Sequence, residues 1–167
     1  QFIMRIRTLQ HEVFDEKCYK LNVFDYNVRD YNHLAFISII GTSSIEGDEE
    51  LLHWFQENHD NVLNLEFDDI TEDLIINGVE LHAMSDEQAI QCVDFIEKNM
   101  GKDFYIHCRA GVSRSGAVSQ FICDMFRNQV DIEDFRQNNG HIRPNNHVLT
   151  ILKRAFYQKN GMFECKK

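Results

Sequence analysis

His107-Cys108-Arg109-Ala110-Gly111-Val112-Ser113-Arg114-Ser115-Gly116 is the stretch of this chain whose residue types and spacing could do chemistry. A cysteine closes an apolar run, five loop residues follow, and Arg114 and Ser115 open what reads as a helix. A loop running into a helix N-terminus aims successive backbone N–H groups at one point, the arrangement a phosphate monoester dianion needs. Arg114 adds a planar guanidinium that can grip two phosphate oxygens together, which the point charge of a lysine cannot do. The same positive field favours the thiolate of Cys108; cysteines in comparable settings ionise at roughly 3.5–7.5 instead of about 8.5. Ser115 is placed to donate to that sulfur when it leaves. Cys108 is therefore the candidate nucleophile and Arg114 the candidate phosphate clamp. Arg109, Ala110, Gly111, Val112 and Ser113 are candidates for the cradle, with Gly111 and Gly116 letting the backbone curl closely. His107, just before the nucleophile, is a candidate base or, from its place at a strand end, a site-lining residue that bonds backbone and shapes the loop.

The elements that must position this loop follow from periodicity. Leu34 to Ile40 is an Ile-rich run closed by Gly41, consistent with a strand buried on both faces. Val62 to Phe67 and Phe104 to His107 read as two further strands. Ser85 to Met100 has Ala89, Val93, Ile96 and Met100 on one helical face, capping-box spacing between Ser85 and Gln88, and Gly101 at its C-terminal end. Asp48 to Asn58 predicts a shorter helix with Leu51, Leu52 and Phe55 inward. Helical spacing recurs at Val118, Phe121, Ile122 and Met125, and at Val148, Leu149, Leu152, Ala155 and Phe156. Strands alternating with helices predict an α/β fold, a mostly parallel central sheet flanked by helices on both faces, with the phosphate loop at a strand-to-helix turn. Ligands of such sheets bind beyond the carboxyl ends of the strands, where Cys108 to Arg114 falls.

Composition narrows the function classes. The 167 residues suit one domain, read as 4–167 with Gln1 to Ile3 as a remnant outside it, and 43% apolar with 26% charged residues is a globular profile. A net charge of −10 disfavours nucleic acid and anionic membrane surfaces as partners. No apolar run approaches the roughly 20 residues of a membrane span and no secretory signal is evident, so the expected location is cytoplasmic. The five cysteines, Cys18, Cys92, Cys108, Cys123 and Cys165, show no paired metal-ligand spacing and are expected to be reduced. No cofactor or metal is implied.

HCRAGVSRS resembles the H-C-x-x-G-x-x-R-[ST] signature of the cysteine-dependent protein tyrosine phosphatase superfamily, and the chain is most similar to its compact, dual-specificity-like branch. Arg143-Pro144-Asn145-Asn146 resembles the Arg-Pro-Asn segment of dual-specificity members, which implies that Asn145 lines the site. The resemblance spans roughly residues 60 to 156. It implies hydrolysis of a phosphorylated protein or small phosphate monoester through a phosphocysteine intermediate. It also implies an aspartate that protonates the leaving oxygen. Asp69 is the first choice, with Asp68 and Asp73 open, because its separation from Cys108 is longer than usual in the family and the usual following proline is absent. The neutral Ala110, Val112 and Ser113 disfavour a phosphoinositide phosphatase, which tends to carry lysines in this loop. The alternative function is a phosphate-binding module of the same fold that has lost turnover. Phosphotyrosine and phosphothreonine are both open as substrates.

Overall fold

The computed structural model describes residues 3–42 and 52–161. Four strands, β1 (Ile6–Gln10), β2 (Leu34–Ile40), β3 (Val62–Glu66) and β6 (Asp103–Cys108), form an all-parallel sheet in the order β1-β6-β2-β3. A separate antiparallel pair, β4 (Leu74–Ile76) and β5 (Val79–Leu81), turns at Asn77 and Gly78, both with positive φ. The helices are α1 (His11–Leu21), α2 (Asp86–Lys98), α3 (Arg114–Met125), α4 (Ile132–Asn138) and α5 (Asn146–Lys159). Among the described residues no helix is long and apolar enough to cross a membrane.

Successive residues of β2 face opposite sides of the sheet. Ala35, Ile37 and Ile39 join a core with α2, α3 and α5, whereas Leu34 and Phe36 join a second core with Phe14 and Cys18 of α1, and with Phe55. Helices therefore cover both faces, and β2 is buried almost throughout, as its unbroken apolar run requires. The capping box of α2 is formed: Ser85 Oγ accepts from Gln88 N at 3.1 Å and Ser85 N donates to Gln88 Oε1 at 3.0 Å. Gly101 has φ of +91°, the left-handed conformation expected after a helix.

The helix expected over Asp48 to Asn58 is absent from its described part, residues 52–58; Leu51 lies outside the described residues. Side chains from elsewhere take the backbone groups a helix would use. Gln56 N donates to the Asp25 carboxylate (3.0 Å to Oδ2), and Phe55 O accepts from Asn64 Nδ2 at 2.8 Å. Phe55 is buried as expected, but Leu52 is exposed. Trp54, expected in the core, is only half-buried and donates its Nε1–H to Val23 O at 2.8 Å.

Candidate active site

The loop from Cys108 to Arg114 leaves the C-terminal end of the central strand β6 and enters α3, and its carbonyls are claimed from outside. His11 N, at the start of α1, donates to Arg109 O (3.1 Å); Arg143 N donates to Val112 O (2.9 Å) and Asn145 N to Ser113 O (3.0 Å). With the carbonyls held outward, N–H groups turn inward, and those of Val112 and Ser115 reach the Cys108 sulfur. Gly111, at φ of +72°, lies so close to β1 that a Cβ would stand 2.5 Å from Gln10 N. Glycine is required there by both conformation and space. Gly116 serves differently, packing α3 against Ile142, whose Cβ a side chain would meet at 3.1 Å.

Cys108 is buried at the loop floor, its Sγ 3.0 Å from Ser115 Oγ. Burial pushes its thiol up, but the Ser115 hydroxyl, the Ser115 and Val112 N–H groups and the Arg114 charge together bring it below the ordinary cysteine value. Cys18, Cys92 and Cys123 go the other way: burial raises each, Cys92 to about 12. Cys108 is the only one of these four buried thiols whose surroundings favour the thiolate. Arg114 is buried, donates Nη1–H to Phe67 O at 2.9 Å, and keeps a buried Nε–H with no partner among the described residues. A buried, unpaired donor on a cation is costly unless a ligand completes it. Arg109 is exposed on the loop, and the Arg143 guanidinium turns back onto Ile142 O at 2.7 Å.

The three candidate aspartates separate cleanly. Asp69 stands on the rim of the loop, where its Oδ1 accepts from Ser113 Oγ at 2.7 Å and from Asn145 Nδ2 at 2.9 Å. Asn145 is a bracket: its Nδ2 also reaches Ile70 O at 3.2 Å, while its Oδ1 caps α5 by accepting from Val148 N at 3.1 Å. Asp68 is buried and accepts from Thr42 N, the Thr42 hydroxyl and His82 N, so it ties the chain together beneath the site. Asp73 is exposed and accepts from Ala83 N at 3.0 Å.

His107 is fully buried on the α1 side of the sheet, its ring 4.3 Å from those of His11 and Phe14. Its Nδ1 lies 3.2 Å from Cys108 O. A carbonyl only accepts, so Nδ1 carries the proton and Nε2 accepts from Ser38 Oγ–H at 2.7 Å. Ser38 Oγ in turn accepts from His53 Nδ1–H at 2.6 Å. This three-membered chain fixes the tautomer and braces the Cys108 carbonyl. Ser38 and His53 were not among the expected site residues; a lone serine inside the apolar run Leu34–Ile40 is the readable signal for the first, and His53 has none.

Burial, reinforced by the charges of His11, His53 and Arg114, lowers His107 from 6.5 to about 3, so it stays neutral at any working pH. The unfolded chain takes up a proton below about pH 6.5 that the folded chain refuses until about pH 3, so stability contributed by neutral His107 is lost as pH falls through that window. Urea unfolding should show stability falling between pH 6 and 5, with His107 contributing up to about 1.4 kcal/mol per pH unit. His53, also lowered chiefly by burial, acts in the same direction. His107→Gln should be less stable at pH 7 and show a shallower fall; an unchanged slope would contradict the buried neutral state.

No family model and no curated protein matches the chain. Among solved structures, the chain is similar to PTPMT1 in complex with PI(5)P, with 16% identity, a TM-score of 0.47, and 94% of this chain and 93% of that one covered. It is also similar to Tk-PTP in its active form, at 16% identity, a TM-score of 0.43 and coverage of 93% and 92%. A third is the human tyrosine phosphatase-like serine/threonine/tyrosine-interacting protein, at 21% identity, a TM-score of 0.44 and coverage of 80% and 83%. These likenesses are distant, and the chemistry assigned below rests on the geometry of the chain's own residues.

Proposed function

We propose that this chain is a phosphate-monoester hydrolase of the tyrosine or dual-specificity type, working through a phosphocysteine on Cys108. The observation that carries the proposal is a thiol brought below its ordinary pKa beside Arg114, whose Nε–H is buried without a partner among the described residues. In the first step Cys108 attacks phosphorus in line, a P–S bond forms, and the P–O bond to the leaving group breaks. Arg114 and the loop amides hold the oxygens as they spread. Asp69 gives its proton to the departing oxygen. Its Oδ1 already accepts two hydrogen bonds, which leaves Oδ2 to carry the proton. In the second step Asp69 takes a proton from water, the water oxygen attacks phosphorus, and the P–S pair returns to Cys108, stabilised by Ser115.

Release of inorganic phosphate from an aryl phosphate, lost in Cys108→Ser, is the direct test; a binding module would hold phosphate without turnover. Asp69→Asn should cost roughly 10²–10⁴-fold on phenyl phosphate and distinctly less on an activated aryl phosphate, because a good leaving oxygen needs no proton. Asp68→Asn should instead lower the urea midpoint, since Asp68 accepts from Thr42 and His82. Leaving-group dependence that follows Asp68 and not Asp69 would transfer the acid role by one residue.

A further inference from the structure

Residues 69–81 make an excursion closed at its base by Asp68 N donating to His82 O and His82 N donating to Asp68 Oδ2, both at 2.7 Å. Its first residue, Asp69, is bonded to the phosphate loop through Ser113, and its far part is the β4–β5 hairpin. The hairpin therefore projects from a segment whose first residue, Asp69, borders the phosphate loop.

The register places Leu74 opposite Leu81 and Ile76 opposite Val79, so these four share one face, while Ile75 lies opposite Glu80 on the other. Only Leu81 is buried; Leu74 is 38%, Ile76 47% and Ile75 72% exposed. A two-stranded hairpin gains little stability alone, and consecutive exposed aliphatic residues on one mark a surface that receives something. The chemistry of the occupant is set by the neighbourhood. At the hairpin's foot, running to the start of α2, lies a groove of ≈ 690 Å³ with Glu66, Glu72, Asp73 and Asp86 in its walls and neither Lys nor Arg among its described lining residues. Asp86 is paired with Arg154 at 3.0 Å, and among the described residues the ion-pair partners of Glu66 and Asp73 are His53 at 3.5 Å and His82 at 3.7 Å. With a net charge of −10, this face repels anionic lipid headgroups and attracts cationic side chains.

We propose that the β4–β5 hairpin and the acidic groove at its foot dock the polypeptide that carries the phosphate, selecting a segment with an aliphatic side chain beside Lys or Arg. The proposal rests on the phosphatase assignment above. The probes are two phosphotyrosyl peptides of equal length, one flanked by Ile and Arg, the other by Ser and Glu. The wild type should favour the first by about tenfold or more in kcat/KM, the difference lying in KM. Leu74→Ser and Ile76→Ser, on one face of the hairpin, should remove most of that preference, and Glu72→Gln part of it, with hydrolysis of a small aryl phosphate unchanged in all three. Equal kcat/KM for the two peptides in the wild type, or a preference that survives both aliphatic variants, would overturn the proposal. Fluorescence anisotropy of the same peptides on Cys108→Ser, alone and combined with Ile76→Ser, reads docking without turnover. A failure of hydrolysis thus strikes the phosphatase assignment, and a failure of selective binding strikes the docking surface. Sedimentation with phosphatidylserine vesicles that depends on Ile76 would reassign the hairpin to a lipid surface. A dimer dissociated by Ile76→Ser would reassign it to a second copy of the chain. Either result would overturn the proposal.

Discussion

Cys108→Ser should lower turnover by at least about four orders of magnitude on every phosphate monoester, activated or not, while phosphate and vanadate still bind. The loop stabilises a thiolate through the Ser115 hydroxyl, two N–H groups and the Arg114 charge. Those contacts favour the charged form of a thiol but cannot ionise an alcohol, whose intrinsic pKa lies far higher. Substituting oxygen for sulfur leaves the loop carbonyls held by His11, Arg143 and Asn145, so the cradle persists. Isothermal titration with vanadate alongside single-turnover kinetics checks both halves. Residual turnover near the wild-type level would mean that another group attacks. Loss of both turnover and anion binding would mean that the sulfur holds the loop together.

Arg114→Lys should be nearly as damaging as Arg114→Ala, each costing roughly 10²–10³-fold or more in kcat. The reason is a division of labour within one guanidinium. Nη1 is committed to Phe67 O at 2.9 Å, which fixes the plane of the group against the strand β3 end, and the buried Nε–H has no partner among the described residues. A single lysine nitrogen cannot hold Phe67 O and also present parallel donors to two phosphate oxygens. The charge would survive, so vanadate affinity should fall less in Arg114→Lys than in Arg114→Ala even though their rates are similar. Steady-state kinetics with vanadate inhibition constants measures this. If Arg114→Lys keeps most of the wild-type rate, charge alone suffices and the two-pronged grip is wrong.

What could be read from the sequence depended on whether a single physical cause dominated locally. The phosphate loop was legible because a strand-ending cysteine, a glycine pressed against β1 and an arginine opening a helix all serve one geometry. The strand β2 and the helix α2 were legible because burial on both faces and a formed capping box each leave a direct sequence pattern. Strand β1 was not. Its inward face includes Thr8, buried because its hydroxyl bonds Asn139 and Ser119 at 2.6 and 2.7 Å, so tertiary partners, invisible in sequence, stand where apolar periodicity was sought. The hairpin was missed although Asn77-Gly78 is a strong turn signal, because its exposed strands lack alternation between a buried and a solvated face. The hairpin lies between Asp69 and Cys108, within the long spacing that left the candidate acid open among three aspartates. Their roles in the fold separate only when Thr42, His82 and Asn145 are seen around them.

The central claim is that phosphate passes through a covalent bond to Cys108, and rapid quenching followed by peptide mass spectrometry tests it most directly. With an activated aryl phosphate, Asp69→Asn forms the phosphocysteine readily, since a good leaving oxygen needs no proton, but hydrolyses it slowly without a base for the water. The account predicts one phosphoryl group on the peptide containing Cys108, accumulating in Asp69→Asn above the wild-type level and absent in Cys108→Ser. Phosphate release at the wild-type rate with no adduct on Cys108 at any quench time, or an adduct on another residue, would contradict it.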